Sequence, residues 1–250
     1  MSSQLVGLAL VLIGATAFAV FGIRQRRRTS DAHVMPMFRA FAEEVGRVAE
    51  EGAVVHVALG SGGLMSEEGM VTVAALQGLS ALTELAAAYD TPPLMSTGDP
   101  TLYLLADSQM RAAYARLGSA GHHRPGTIQF SASTPLLYAA MAATLNTDEP
   151  VGTQISLGAF DQEVSLLADS ATSRNIKAYG GATSALGVAA LYPTLDRDQL
   201  VVGEALFSGG AEVSGRSAFW ASLSAQNVLR WLVIIGTLLV AGASLLGLRG

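Results

Sequence analysis

If this chain performs chemistry, a few short turns must carry it. Gly60-Ser61-Gly62-Gly63 follows an apolar run and precedes a long helical pattern, a placement that lets backbone N–H groups wrap an anion. The turn lacks the full GxGxxG spacing and a P-loop lysine, since the only lysine is Lys177, so a tight strand-to-helix turn is the simpler account of its glycines. Asp99 and Asp161 follow two later strands, where carboxylates could pass a proton or hold a cation, but each stands where a helix N-cap is wanted. His56 lies within an apolar strand and is read as a core histidine. His122-His123 sits in a loop with no third metal ligand in view. No Ser/His/Asp spacing or aromatic-basic cluster stands out. The candidate ligand-binding set is thus Gly60, Ser61, Gly62, Gly63, Asp99 and Asp161, with no catalytic residue, no metal and no cofactor expected.

The elements that position these turns repeat one unit. Pro36 opens a helix with Phe38, Phe41, Val45 and Val48 on one face, Glu43, Glu44, Glu50 and Glu51 largely off it, and Gly52 as its stop. Val54–Leu59 reads as a strand, followed by the glycine turn and a helix from about Glu67 to Tyr89. Leu94–Thr97, Thr127–Ser131, Val151–Leu157 and Ile176–Tyr179 repeat the pattern, with caps expected at Asp99, Thr134, near Asp161 and near Thr183. Gly158 and Gly180-Gly181 read as turns, and Asp196 to Phe207 as a last helical stretch. Helical crossovers between successive strands demand parallel pairing. The expected fold is α/β, a Rossmann-like, mostly parallel five-stranded sheet flanked by helices. Leu104-Leu105-Ala106-Asp107-Ser108 recurs as Leu166-Leu167-Ala168-Asp169-Ser170 at the same place in the unit.

The two ends are of another character. Leu5 to Ile23 holds nineteen residues without a charge, long enough at about 1.5 Å per residue to cross a hydrocarbon core of about 30 Å. Arg24, Arg26, Arg27 and Arg28 follow it, which places that side in the cytoplasm and the N-terminus outside. A second apolar run, Trp231 to Leu248, is preceded by Trp220 and Arg230 and should lead back out. The expected organisation is an N-terminal transmembrane helix and arginine flank over 1–28, a cytoplasmic α/β domain over 29–215, and an interfacial segment with a C-terminal transmembrane helix over 216–250.

Composition bounds the function. Of 250 residues 50% are hydrophobic and 14% charged, and there is no cysteine, which excludes disulfides and thiol chemistry. Residues 31–228 hold all 20 acids but only nine of the 15 bases, a balance that argues against nucleic acid as a partner.

Gly60-Ser61-Gly62-Gly63-Leu64, Ser96-Thr97-Gly98-Asp99, the stretch from Gly158 to Asp169 and the tail Ala225-Gln226-Asn227-Val228-Leu229-Arg230-Trp231 carry a resemblance over nearly the whole chain. The chain resembles an uncharacterised bacterial family of two-helix membrane proteins, a catalogued domain of unknown function seen mainly in Chloroflexi-type bacteria. The resemblance implies no catalytic role. The expectation is a non-catalytic structural subunit of the bacterial cytoplasmic membrane that self-associates, with lipid and its own copies as partners. The alternatives are a tethered small-anion or nucleotide sensor or enzyme, and an accessory subunit of another membrane complex.

Overall fold

The computed structural model describes Thr16 and residues 36–66, 69–118, 126–208, 230–231 and 233–234. The chain divides into two compact units, Val34–Ser214 and Met1–His33 with Gly215–Gly250. The two apolar runs (apart from Thr16, Trp231, Val233 and Ile234), Arg24 to Arg28, Trp220 and the His122-His123 loop lie outside the described residues. Arg230 and Trp231 are helical and exposed.

The Val34–Ser214 unit is a doubly wound α/β fold. Helix α1 (Pro36–Glu50) leads into β1 (Val54–Gly60), then α2 (Gly69–Ala88), β2 (Leu94–Thr97), α3 (Pro100–Arg116) and β3 (Ile128–Phe130). The second half runs α4 (Pro135–Asp148), β4 (Val151–Ala159), α5 (Val164–Thr172), β5 (Lys177–Ala182), α6 (Ala185–Leu191) and β6 (Leu200–Val202). All strand pairs are parallel, in the order β3-β2-β1-β4-β5-β6. The chain winds outward from β1 to one edge, returns through α4, and winds outward from β4 to the other, so β1 and β4 flank the topological switch point.

Alternation along β1 sends Val55, Val57 and Leu59 into one core and His56 and Ala58 into the other. The first core packs α1, α2 and α3 around Phe41, Leu79, Met110 and Tyr114; the second packs α4, α5 and α6 around Tyr138, Phe160 and Leu167. Burying each such side chain contributes about 1.5–3 kcal/mol. Helix α2 is the one described helix long and apolar enough to cross a membrane, yet most of it is buried among α1, α3 and β4, as a central core helix should be.

Several details differ from the sequence expectation. The sheet has six strands, not five, because Leu200-Val201-Val202 pairs with β5 where a helix over 196–207 was expected. An Asp196/Gln199 capping box opens only one 3₁₀ turn before those β-branched residues, and Gly203, at φ +63°, begins another after them. Gly180 and Gly181 lie inside β5 rather than in a turn. A Cβ on Gly180 would stand 2.9 Å from Leu191 Cδ1, and one on Gly181 2.6 Å from Leu206 Cδ1, so both glycines admit neighbouring leucines. Gly158 is likewise inside β4, its backbone against the Leu59 carbonyl. Helix α5 starts after Glu163 with no side-chain cap from Asp161, and α6 is capped by Ser184 rather than Thr183. Glu44, expected off the packed face of α1, is buried.

Candidate functional site

The glycine turn and Asp99 meet at the carboxyl ends of β1 and β2. Gly60 closes β1 at φ +83°, and a Cβ there would sit 2.6 Å from the Ala159 carbonyl, so β1 and β4 approach closely at the switch point. Gly60 N–H donates to Tyr138 Oη at 3.1 Å, and its carbonyl accepts from Gly98 N–H at 2.9 Å. Ser61 packs against Gly98. Thr72 Oγ1 donates to the Gly62 carbonyl and Ser66 Oγ to that of Gly63, so the turn is tied to its own surroundings. Asp99 Oδ1 accepts from Leu102 N–H at 2.8 Å, the N-cap role expected of it, while Oδ2 lies where a Cβ on Gly63 would fall within 2.6 Å. Asp161 follows β4; it is exposed, and its N–H donates to Glu163 Oε1 at 3.1 Å.

This arrangement is poorly built for an anion. A carboxylate lies against the turn that would cradle a phosphate. Lys177 begins β5, at the opposite, strand-amino end. At the switch point, where an open α/β sheet holds its ligand, Phe160 is buried with its ring 6.3 Å from that of Tyr138 at a 38° tilt, and the Tyr138 hydroxyl occupies the Gly60 amide.

His56, read from the sequence as a core histidine, is fully buried, but sequence reasoning missed the partners that surround it beneath this surface. His56 on β1 places Nε2 2.9 Å from Ser96 Oγ on β2 and Nδ1 3.1 Å from Asn146 Oδ1 on α4. Tyr138 Oη lies 3.1 Å from Ser96 Oγ and 3.2 Å from the Ser96 carbonyl. Asn146 Nδ2 donates to Gln154 Oε1 at 2.6 Å, and Gln154 Nε2 to Ser156 Oγ at 3.1 Å. The partners assign the protons in one direction: Gly60 N–H to Tyr138, Tyr138 to Ser96, Ser96 to His56 Nε2, and His56 Nδ1–H to Asn146.

Ser96, His56 and Asn146 thus have the contacts of a nucleophile, a base and its orienting group. Ser96 and His56 have no exposed surface, so no substrate atom reaches the hydroxyl. Burial also pulls His56 down to about 4, against the hydrogen bond to Asn146, and pushes the Tyr138 hydroxyl up to about 12. Both shifts favour the uncharged forms at neutral pH. The cluster is a neutral strut that satisfies buried polar groups and pins α4 to the sheet.

On the other face, Glu44 of α1 ties the strand-amino ends together. Its Oε1 accepts from Lys177 Nζ at 2.5 Å, and its Oε2 from Arg47 at 2.9 Å and Thr153 Oγ1 at 2.9 Å. Arg47 also donates to the Gly152 carbonyl. Burial raises the Glu44 pKa, but the hydrogen bonds from Lys177, Arg47 and Thr153 outweigh it and hold the carboxyl below its ordinary value. Near this end an open cleft of about 420 Å³ lies among Ala53, Asp90, Pro92, Gln129 and Glu149. Among the described residues no group of three or more His, Cys, Asp or Glu could hold a metal ion.

A family model described as a domain of unknown function, DUF6754, matches residues 2–248. No curated protein and no solved structure matches the chain. Because that one model spans almost every residue, this chain belongs to the DUF6754 family.

Proposed function

We propose that the chain is a non-catalytic structural subunit of the bacterial cytoplasmic membrane, anchored by its terminal apolar runs, that self-associates through its cytoplasmic α/β unit. The observation that carries this reading is the burial at the switch point. Among the described residues Phe160 and Tyr138 are buried beside the paired β1 and β4 backbones there, and the triad-like constellation of Ser96, His56 and Asn146 is buried beneath them. Support for lateral contacts comes from α4, which carries no charge from Pro135 to Thr147 and exposes Leu136, Leu137, Ala140, Met141 and Thr144. In mild detergent, multi-angle scattering should give a mass far above 25.8 kDa, and Met141→Lys should lower it. A clean monomer for the unmodified chain ends the proposal.

A second reading, a membrane-tethered small-anion or nucleotide sensor, is favoured by the strand order, which sets Gly60 to Gly63 beside the switch point. It requires some nucleotide to raise the thermal midpoint, and Gly62→Leu to abolish the rise.

A further inference from the structure

We propose that the strand-carboxyl end of the α/β unit rests on a lipid surface. The inference depends on the membrane anchoring proposed above and adds which end of the domain meets the bilayer.

Exposed aliphatic residues gather at that end. In each strand-helix unit the helix starts beyond the strand's carboxyl end, so first-turn residues and strand tips share one rim. There Met65 after β1, Met70 on α2, Leu104 on α3, Leu166 on α5, Leu186 on α6 and Val202 at the tip of β6 are all exposed. The large apolar residues exposed at the opposite end are Tyr89, Leu117 and Tyr192, and two of these carry hydroxyls. Charge is distributed the other way. Arg47, Arg111, Arg116, Arg174, Lys177 and Arg197 all lie toward the strand-amino end. At the carboxyl end Asp99 is turned to Leu102 N–H and Glu163 is buried, leaving Asp161 as the exposed acid among the described side chains. Arg39 on α1 and Glu204 after β6 also fall at this end by chain position. A rim of isolated exposed aliphatic side chains suits the interfacial zone of a bilayer, where each buried apolar group stabilises contact.

The path of the chain selects lipid over a second copy. Along α1, Arg47 meets Gly152, Glu44 meets Lys177 and Phe41 meets Tyr179, a progression from the amino ends of β4 and β5 toward their carboxyl ends. Pro36 therefore begins α1 on the carboxyl side, and β6, parallel to the rest, delivers the chain to the same side. The described part of the α/β unit thus starts on this side at Pro36 and returns to it after β6. Residues 29–35, at about 3.5 Å each, reach at most ~25 Å from Arg28, the last of the arginine flank.

The chain has no cysteine, so single thiols report individual positions. Full-length protein carrying Leu104→Cys or Leu186→Cys at the rim, and Leu117→Cys at the opposite end, would be labelled with a small fluorophore in phosphatidylcholine vesicles. Lipids bearing a nitroxide near the headgroup should quench the two rim positions several-fold more strongly than the Leu117 position, with aqueous iodide ranking them in reverse. Rim positions shielded from iodide yet not quenched by the lipid nitroxide would mean that protein covers them, and the proposal falls. Rim positions as open to iodide as the Leu117 position also overturn it. Carbonate extraction keeps the two ideas apart: protein that stays with the vesicles while its rim reads as aqueous loses only this inference, whereas protein stripped from them loses the anchoring as well.

Discussion

Thr153 and Gln154 are neighbours on β4 and point to opposite faces, where they meet two different solutions to burying polar groups. Thr153 joins an ionic cluster, with Glu44 buried but Arg47 and Lys177 38% and 47% exposed, so water shares the load. Gln154 joins a neutral chain running from Gly60 through Tyr138, Ser96, His56 and Asn146, with no water-exposed exit at His56 or Ser96. Charge alone would rank the ionic cluster as the stronger. Access to water reverses that order, because an orphaned group near the surface can rehydrate while one in the dry network keeps its full desolvation cost.

The largest effect should therefore come from the uncharged side. Asn146→Leu leaves His56 Nδ1–H and Gln154 Oε1 without partners, at roughly 1–3 kcal/mol for each, for a total of about 4 kcal/mol. Pulse proteolysis across a urea series on the detergent-solubilised full chain measures it. A loss smaller than that of any single change in the ionic cluster would break the comparison.

Next comes acid. His56 is held down to about 4 from its ordinary 6.5, so above 6.5 both folded and unfolded forms are neutral and the stability is complete. As pH falls from 6.5 toward 4 the unfolded chain takes up the proton first, and about 3 kcal/mol is lost. Glu44 is also held below its ordinary value, but from 4.5, so it loses its contribution only as pH falls below 4.5. The interval between 6.5 and 4.5 thus isolates the neutral network. His56→Gln should flatten the stability profile there, and an unchanged slope in that variant would assign the loss elsewhere.

How much of this was legible in the sequence follows from the range of each signal. Leu94–Thr97 reads as a strand residue for residue, and Asp99-Pro100 as a cap and first turn, because both depend on adjacent residues. The Leu-Leu-Ala-Asp-Ser echo has a structural counterpart too: Leu104 and Leu166 are exposed and Ala106 and Ala168 buried, so both copies sit in one phase. Glycine misled. Gly158, Gly180 and Gly181 look like Gly60, yet they make room for the Leu59 carbonyl and for leucine side chains, which no local pattern reveals. The polar network was out of reach for the same reason. His56 is 40 residues from Ser96 and 90 from Asn146, and only the sheet order brings β1 between β2 and β4. Among the candidate ligand residues, the sheet brings Gly60, Gly63 and Asp99 together, but Gly60 as a turn bonded to Gly98 and Asp99 as the cap of α3.

The smallest effects test whether the ionic cluster is as lightly held as its exposure implies. Glu44→Gln keeps the shape of the side chain and leaves Arg47 and Lys177 free to turn to water, so a loss of about 2 kcal/mol is expected. Lys177→Met removes only the half-exposed partner and retains a stem beside Tyr179, so it should cost below about 1 kcal/mol. Salt separates the two faces without mutation. Raising ionic strength should shrink the Glu44→Gln loss, since surface charges are screened over about 3 Å at 1 M, while the Asn146→Leu loss, which involves no charge at neutral pH, should not move. If the Asn146→Leu loss shrank with salt in parallel, His56 would have to carry a proton in the folded protein, and the description of its network as neutral would fail.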